Sequence, residues 1–395
     1  MTVGGSTIER ELASLAHWPH RAQPVGAAER QARLASARRA MAAIGIDALL
    51  VSAGPSLRYF TGVTWSPTER LVALLLPVSG EPIMICPAFE IGSLEAELVI
   101  AADIRLWQED DDPAALVRDA TAPGATLALD PLLPFAMAER LRMNRNVVDG
   151  GPVIDGLRMI KSPAELALMQ QAKAMTIEVQ RRAARILTPG IRASTVRRFI
   201  DDAHRALGAA GSTFCAVQFG RATAFPHGLP GDQSLEEDQL VLVDTGCLVD
   251  GYHSDITRTY AFGRFDDSIR ATWNLEHEAQ AAAFAAVRPG ETCERIDAAA
   301  RQVLERAGLG PGYRLPGLPH RTGHGIGLAI HEPAYLVRGD KTVLRPGMCF
   351  SNEPMIVVPD RYGVRLEDHF HVTETGAAWF TEPQRTIDRP FDTTE

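Results

Sequence analysis

The segment Arg321–Glu332, RTGHGIGLAIHE, carries two histidines, His324 and His331, among alternating glycines. Glycine has no side-chain bulk and tolerates positive φ, so the backbone here can turn tightly and approach another group closely. Neither a Lys-Ser/Thr ending nor the full glycine spacing of a phosphate loop is present. Two acidic pairs lie nearby in sequence pattern. Gln239–Gly246 reads as a strand ending in Asp244 and Asp250-Gly251 as a hairpin turn, with Asp255 on the return strand. A loop centred on residues 248–251 sets Asp244 and Asp255 directly opposite one another. Cys349–Met355 then reads as a strand holding Glu353, and Val364–His371 as its return with Glu367, around a turn at Asp360. That places Glu353 and Glu367 opposite as well.

Like charges opposed in a sheet repel, and buried unpartnered carboxylates take up protons or destabilise the fold. One divalent ion, or two bridged by the carboxylates, removes the conflict. With His324 the set is one imidazole and four carboxylates. This suits Mn²⁺, Co²⁺, Fe²⁺ or Zn²⁺ better than Ca²⁺ or thiolate-bound zinc.

The elements that must position these groups fall into two blocks. Helical periodicity over residues 27–44 is followed by strands at 47–51, 71–78 and 82–86, with a turn expected at LRYFTG. Helices near 91–99, 112–121 and 134–142 alternate with strands near 103–107 and 125–130, which predicts an α/β domain over residues 1–155. Its first 25 residues read as a loosely attached arm. Ser162-Pro163-Ala164-Glu165 opens a helix with a capping box, and the remainder, residues 156–395, forms a second domain. Within it, Thr188-Pro189-Gly190 and Arg288-Pro289-Gly290 each follow a long helix and introduce a second one (about 194–208 and 292–307). The pattern predicts an internal duplication of two helix–helix–strand halves with a cleft between them.

Bulk composition narrows the class. The chain has 395 residues, 46% of them hydrophobic, and a formal net charge of −9. No basic run points to nucleic acid, and no apolar run reaches the roughly 18–20 residues of a membrane span. Five scattered cysteines without a CxxC give neither a disulfide framework nor a zinc–thiolate site. The N-terminus lacks a signal-peptide pattern, so a cytoplasmic protein is expected.

VDTG…DITRTY, HGIGLAIHE, SNEP and GVRLED together resemble the metallopeptidases of the pita-bread fold, most closely the proline-specific branch of prolidase and Xaa-Pro aminopeptidase. The likeness runs over roughly residues 155–375; LRYFTG and RMIKSPAELALM resemble that branch's N-terminal domain and junction. The resemblance implies an N-terminal α/β domain followed by a pseudo-two-fold pita-bread catalytic domain. It implies two divalent metal ions, manganese first and cobalt, zinc or iron as alternatives, on Asp244, Asp255, His324, Glu353 and Glu367. It implies hydrolysis of the peptide bond before proline in Xaa-Pro dipeptides by a metal-bridging hydroxide, with Xaa-Pro aminopeptidase activity on longer peptides as the alternative. Glu353 is the expected general base, and His227 and His331 the groups that steady the tetrahedral intermediate or the substrate. Arg365, two residues before Glu367, is expected to face the cleft and grip a carboxylate. A homodimer is expected, with no nucleic-acid or membrane partner. Rival readings are a creatinase-like hydrolase that works without metal, another metal-using hydrolase or lyase, and a non-catalytic binding homologue.

Two positions depart from the resemblance. Val249 stands where the proline-specific relatives often have tyrosine, and His369 and His371 share the face of Glu367. The histidines read as a structural face or as auxiliary contacts to the metal.

Overall fold

A computed structural model describes residues 3–143 and 145–391. The chain divides into two compact units, Pro24–Arg158 and a larger one made of Met159–Glu395 together with the N-terminal segment up to Gln23.

The smaller unit is a six-stranded mixed sheet ordered 103–107, 83–87, 73–77, 48–52, 126–129, 146–149. The strand Ala48–Ser52 is buried along its whole length, which is why its sequence is a continuous apolar run rather than an alternation. One face packs on the helices Pro113–Asp119 and Phe135–Arg142 through Val117, Met137 and Leu141. The sequence expectation of an α/β unit is met. LRYFTG is not a turn, however: Pro55–Thr61 is a short helix, opened by Pro55 at its first turn and closed by Gly62 in the left-handed region. The strand Asn146–Asp149 and the helix Gly151–Arg158 complete the unit.

The expected arm is firmly attached to the larger unit. Ile8, Leu12, Leu15 and Trp18 pack against the core of that unit. Glu11 is buried, with its carboxylate 3.3 Å from both Arg182 and Arg185. Ile8 and Leu12, four apart in the helix Ile8–Ala13, are the signal that the polar surroundings obscured.

The larger unit bears out the duplication in its hydrogen bonds. The helices Pro163–Arg185 and Ala193–Leu207 cover the sheet 256–262, 239–249, 212–219. The helices Asp267–Ala286 and Cys293–Arg306 cover the sheet 332–336, 323–325, 349–352, 368–372, 377–379. After each Pro-Gly turn the same bonds recur: Gly190 N–H donates to Leu235 O as Gly290 donates to Leu344 O, and Leu235 N–H donates to Ile191 O as Leu344 donates to Glu291 O. The sequence offset that relates Leu235 to Leu344 also relates Asp244 to Glu353.

The capping box at the first long helix is complete: Ser162 Oγ accepts from Glu165 N–H and the Glu165 side chain accepts from Ser162 N–H. Ser162→Ala is expected to lower stability by about 1 kcal/mol, read as a shifted denaturant midpoint at constant m-value.

Candidate metal centre

The sheet that carries Asp244 and the sheet that carries His324 approach each other at the bridge between Thr257 and Glu367, and the acidic groups gather at that seam. Period-2 alternation explains why. Val241, Val243 and Tyr260 point to the helices, so Asp244 and Thr257 point the other way. Phe350 and Phe370 point to the second pair of helices, so Ser351, Glu353, Glu367 and His369 share the opposite face.

The first hairpin differs from expectation. Its turn is Asp250-Gly251, both at positive φ (47° and 85°), and the ladder pairs Val249 with Tyr252 and Asp244 with Thr257. Asp255 therefore lies diagonal to Asp244, on the same face but not opposite it. A close crossing makes room for this: a side chain at Gly246 would fall on the carbonyl oxygen of Ser254. Val249 sits at the hairpin end and packs partly buried against the helices' core.

In the second hairpin the register Cys349↔His371 and Met355↔Arg365 sets Glu353 opposite Glu367, as expected. The strands are not continuous there. Pro354 has no N–H, while Glu353 N–H donates to Thr322 O and Glu367 N–H to Thr257 O. The break turns both glutamates toward the first sheet.

His324 arrives from the strand Gly323–Gly325, whose Gly323 lies so close to Ser351 O that no side chain fits. His324 Nδ1 donates to Gly325 O at 3.0 Å, which leaves the Nε2 lone pair directed 3.3 Å from Glu353 Oε1 and 3.7 Å from Asp255 Oδ2. Donor atoms of His324, Glu353 and Glu367 all lie within 4.8 Å of one another, as do those of Asp255, His324 and His331, and of Asp255, Glu367 and His369. Asp244 stands beside this group, with Oδ2 on Arg365 at 2.5 Å and Oδ1 without a protein partner among the described residues.

The electrostatics fit a cation at this spot. Burial, then the charges of Asp244 and Glu353, push the Asp255 carboxyl well above its usual range. Burial, then Asp255 and Glu353, do the same to Glu367. Burial raises Glu353 to about 7, with Arg365 opposing and Asp244 adding to the rise. Burial, then His331, drives His324 well below the ordinary imidazole value, so it stands neutral, the form that binds metal. Orphaned carboxylate oxygens, a neutral imidazole with its second nitrogen anchored, and mutually repelling acids are together the donor chemistry of a divalent-ion site.

The remaining candidate residues divide. His331 is exposed at the mouth, its ring 4.2 Å from that of His324, and His227 is exposed as well. Arg365 is buried, with Nη2 on Asp244 Oδ2 and Nε on Thr257 Oγ1 at 3.1 Å. Thr257, which the sequence reading passed over, also donates to Glu367 Oε2 at 2.7 Å. Its signal was present: it lies two residues after Asp255, on the same face. His369 and His371 separate, since His369 is fully buried beside Glu367 while His371 lies against the Phe380 ring.

Residues 167–374 match the family described as metallopeptidase family M24, and residues 33–160 match the creatinase/prolidase N-terminal domain. The chain is 39% identical over 355 residues to a probable dipeptidase PepE of Mycobacterium tuberculosis, covering 87% of this chain and 92% of the relative. It is 33% identical over 352 residues to an Xaa-Pro dipeptidase of Lactobacillus helveticus, covering 86% and 94%. Among solved structures, dipeptidase PepE from Mycobacterium ulcerans superposes with a TM-score of 0.84 at 36% identity, covering 93% of this chain and 98% of that one. A prolidase from Thermococcus sibiricus gives 0.83 at 28% identity, covering 91% and 98%. The chain belongs to metallopeptidase family M24, with a creatinase/prolidase-type N-terminal domain ahead of its catalytic domain.

Proposed function

We propose that this metallopeptidase hydrolyses the peptide bond before proline in Xaa-Pro dipeptides, using two divalent ions, manganese foremost. The observation that carries the reading is the convergence of Asp255, His324, Glu353 and Glu367, with Asp244 alongside, at one buried seam. The Xaa-Pro specificity rests on likeness to relatives named Xaa-Pro dipeptidase and prolidase.

Two ions held by Asp244, Asp255, His324, Glu353 and Glu367 would supply a strong nucleophile from water at neutral pH and polarise the scissile carbonyl. The chain's own groups do the rest. Glu353, with Oε1 accepting from Ser351 Oγ at 3.3 Å, takes the water proton and returns it to the leaving nitrogen. His331 at the mouth, with His227, hydrogen-bonds the developing oxyanion or the peptide backbone. Arg365 fixes Asp244, and Thr257 fixes both Arg365 and Glu367. A cytoplasmic homodimer belongs to the same proposal, and light scattering on the eluting protein reads the oligomer.

The test is elemental analysis of the purified protein, then chelation and metal add-back while following Ala-Pro hydrolysis. Activity is expected to vanish with the metal and to return with it, most strongly with manganese. A protein that holds two ions and cleaves neither Ala-Pro nor Ala-Pro-Xaa peptides overturns the reading; rapid tripeptide cleavage with inert dipeptides replaces dipeptidase by aminopeptidase. His331→Ala is expected to lower kcat by about 10²–10³-fold with the metal content unchanged, because a donor to the oxyanion acts on the transition state. Steady-state kinetics alongside metal analysis checks it.

A further inference from the structure

The buried histidines of the larger unit set a standard against which one stands out. His204 has Nε2 3.1 Å from Thr176 Oγ1 and Nδ1 2.9 Å from Ser212 Oγ, so both nitrogens are engaged. His324 anchors Nδ1 on a carbonyl. His369 is as deeply buried, yet neither of its nitrogens has a protein hydrogen-bond partner among the described residues. Glu367 Oε1 is likewise without one, and it lies 3.9 Å from His369 Nε2.

That separation is too long for a hydrogen bond, whose heavy atoms sit about 2.7–3.2 Å apart. It suits two donors on one ion, since each bond is about 2.0–2.2 Å long and the two atoms then stand roughly 3–4 Å apart. Asp255 completes the group, with one oxygen within 4.8 Å of both. Leaving two buried polar atoms unsatisfied side by side costs the desolvation of both, and a shared cation relieves both at once. We propose that His369 is a sixth protein ligand of the metal centre, binding through Nε2 where Asp255 and Glu367 meet. The proposal rests on the reading of this seam as a metal site and adds a second imidazole to a set otherwise made of one imidazole and four carboxylates. A nitrogen donor in place of oxygen raises the affinity for cobalt and zinc more than for manganese.

The experiment uses the full chain loaded with cobalt. X-ray absorption at the cobalt edge counts imidazoles per protein, and titration calorimetry gives the affinities. Expected is the loss of one imidazole in His369→Val but none in His331→Ala, and a fall in affinity for one ion of at least about tenfold, larger for cobalt than for manganese. His369→Asn gives the same comparison should the valine variant fold poorly. If wild type and His369 variants show the same imidazole count, or bind both ions equally well, His369 is no ligand. If the wild-type chain binds no cobalt at all, the metal reading itself fails, a separate result.

Discussion

Glu353→Gln is expected to lower kcat for Ala-Pro by about 10²–10⁴-fold without loss of the fold. The side chain has two duties, donor to the cation and acceptor of the proton from the attacking water. The amide keeps the shape and an oxygen for Ser351 Oγ, but it cannot take a proton. Beyond burial, the charge of Glu353 helps push up the carboxyls of both Asp255 and Glu367, so removing it relieves the cluster. The metal-free variant is therefore expected to melt no lower than the wild type. Loss of rate with an undiminished melting temperature separates chemistry from unfolding. Metal analysis of the same sample separates the two duties: full metal content with the rate lost assigns Glu353 to the proton path. A variant that keeps more than a tenth of wild-type kcat while fully loaded removes it from that path.

How far the site was legible in the sequence depended on register. Glu353 and Glu367 came out opposite each other because their ladders run at constant register about a single positive-φ residue, Asp360, which the turn composition announces. Asp244 and Asp255 did not. Shifting the turn from 248–251 to Asp250-Gly251 moves every pairing by two residues, which preserves the face and changes the partner. Facing is set by alternation along one strand, whereas opposition also needs the turn conformation, and a two-residue turn differs from a four-residue one by local φ values that composition specifies weakly. The placement of Arg365 on the cleft face follows from its distance to Glu367, but no one-dimensional spacing shows that Asp244, far away in sequence, meets its Nη2. The N-terminal segment was misread because its apolar residues are diluted by charges, and Glu11 becomes an inside residue only once Arg182 and Arg185 are brought to it.

The repeated half explains why the four carboxylates belong together. Asp244 and Glu353 occupy equivalent positions of the two copies, Asp244 within the strand Gln239–Val249 and Glu353 just past the end of Cys349–Asn352. A duplicated scaffold thus presents one acid from each half at its axis, and each hairpin return supplies a second. His324, Arg365 and His369 belong to the second copy alone, so the symmetry of the backbone carries an asymmetric set of donors.

Beneath this seam lies the ion pair on which the second large effect is expected. Asp368→Ala should lower stability by about 3–5 kcal/mol, a fall in melting temperature on the order of 10 °C. Arg258 and Asp368 are both fully buried, bidentate at 2.7 and 3.1 Å, and Arg258 also donates to Glu367 O at 3.0 Å and Thr257 O at 3.1 Å. Burial nonetheless raises the Asp368 carboxyl despite the opposing pull of Arg258, so desolvation outweighs the attraction within the pair. The pair is then costly to break and dispensable as a pair: removing one partner strands a charge, and removing both strands none. Arg258→Met/Asp368→Ala is expected to recover a clear part of the loss, short of the whole because three backbone carbonyls, of Thr257, Glu367 and Glu382, lose their donor. Denaturant midpoints of the two single variants and the double variant close the cycle. A double variant no more stable than Asp368→Ala would trace the loss to those carbonyl contacts instead of the stranded charge. Since Arg258 holds the carbonyl of Glu367 itself, metal affinity should fall in the two variants that lack Arg258, whatever their stability.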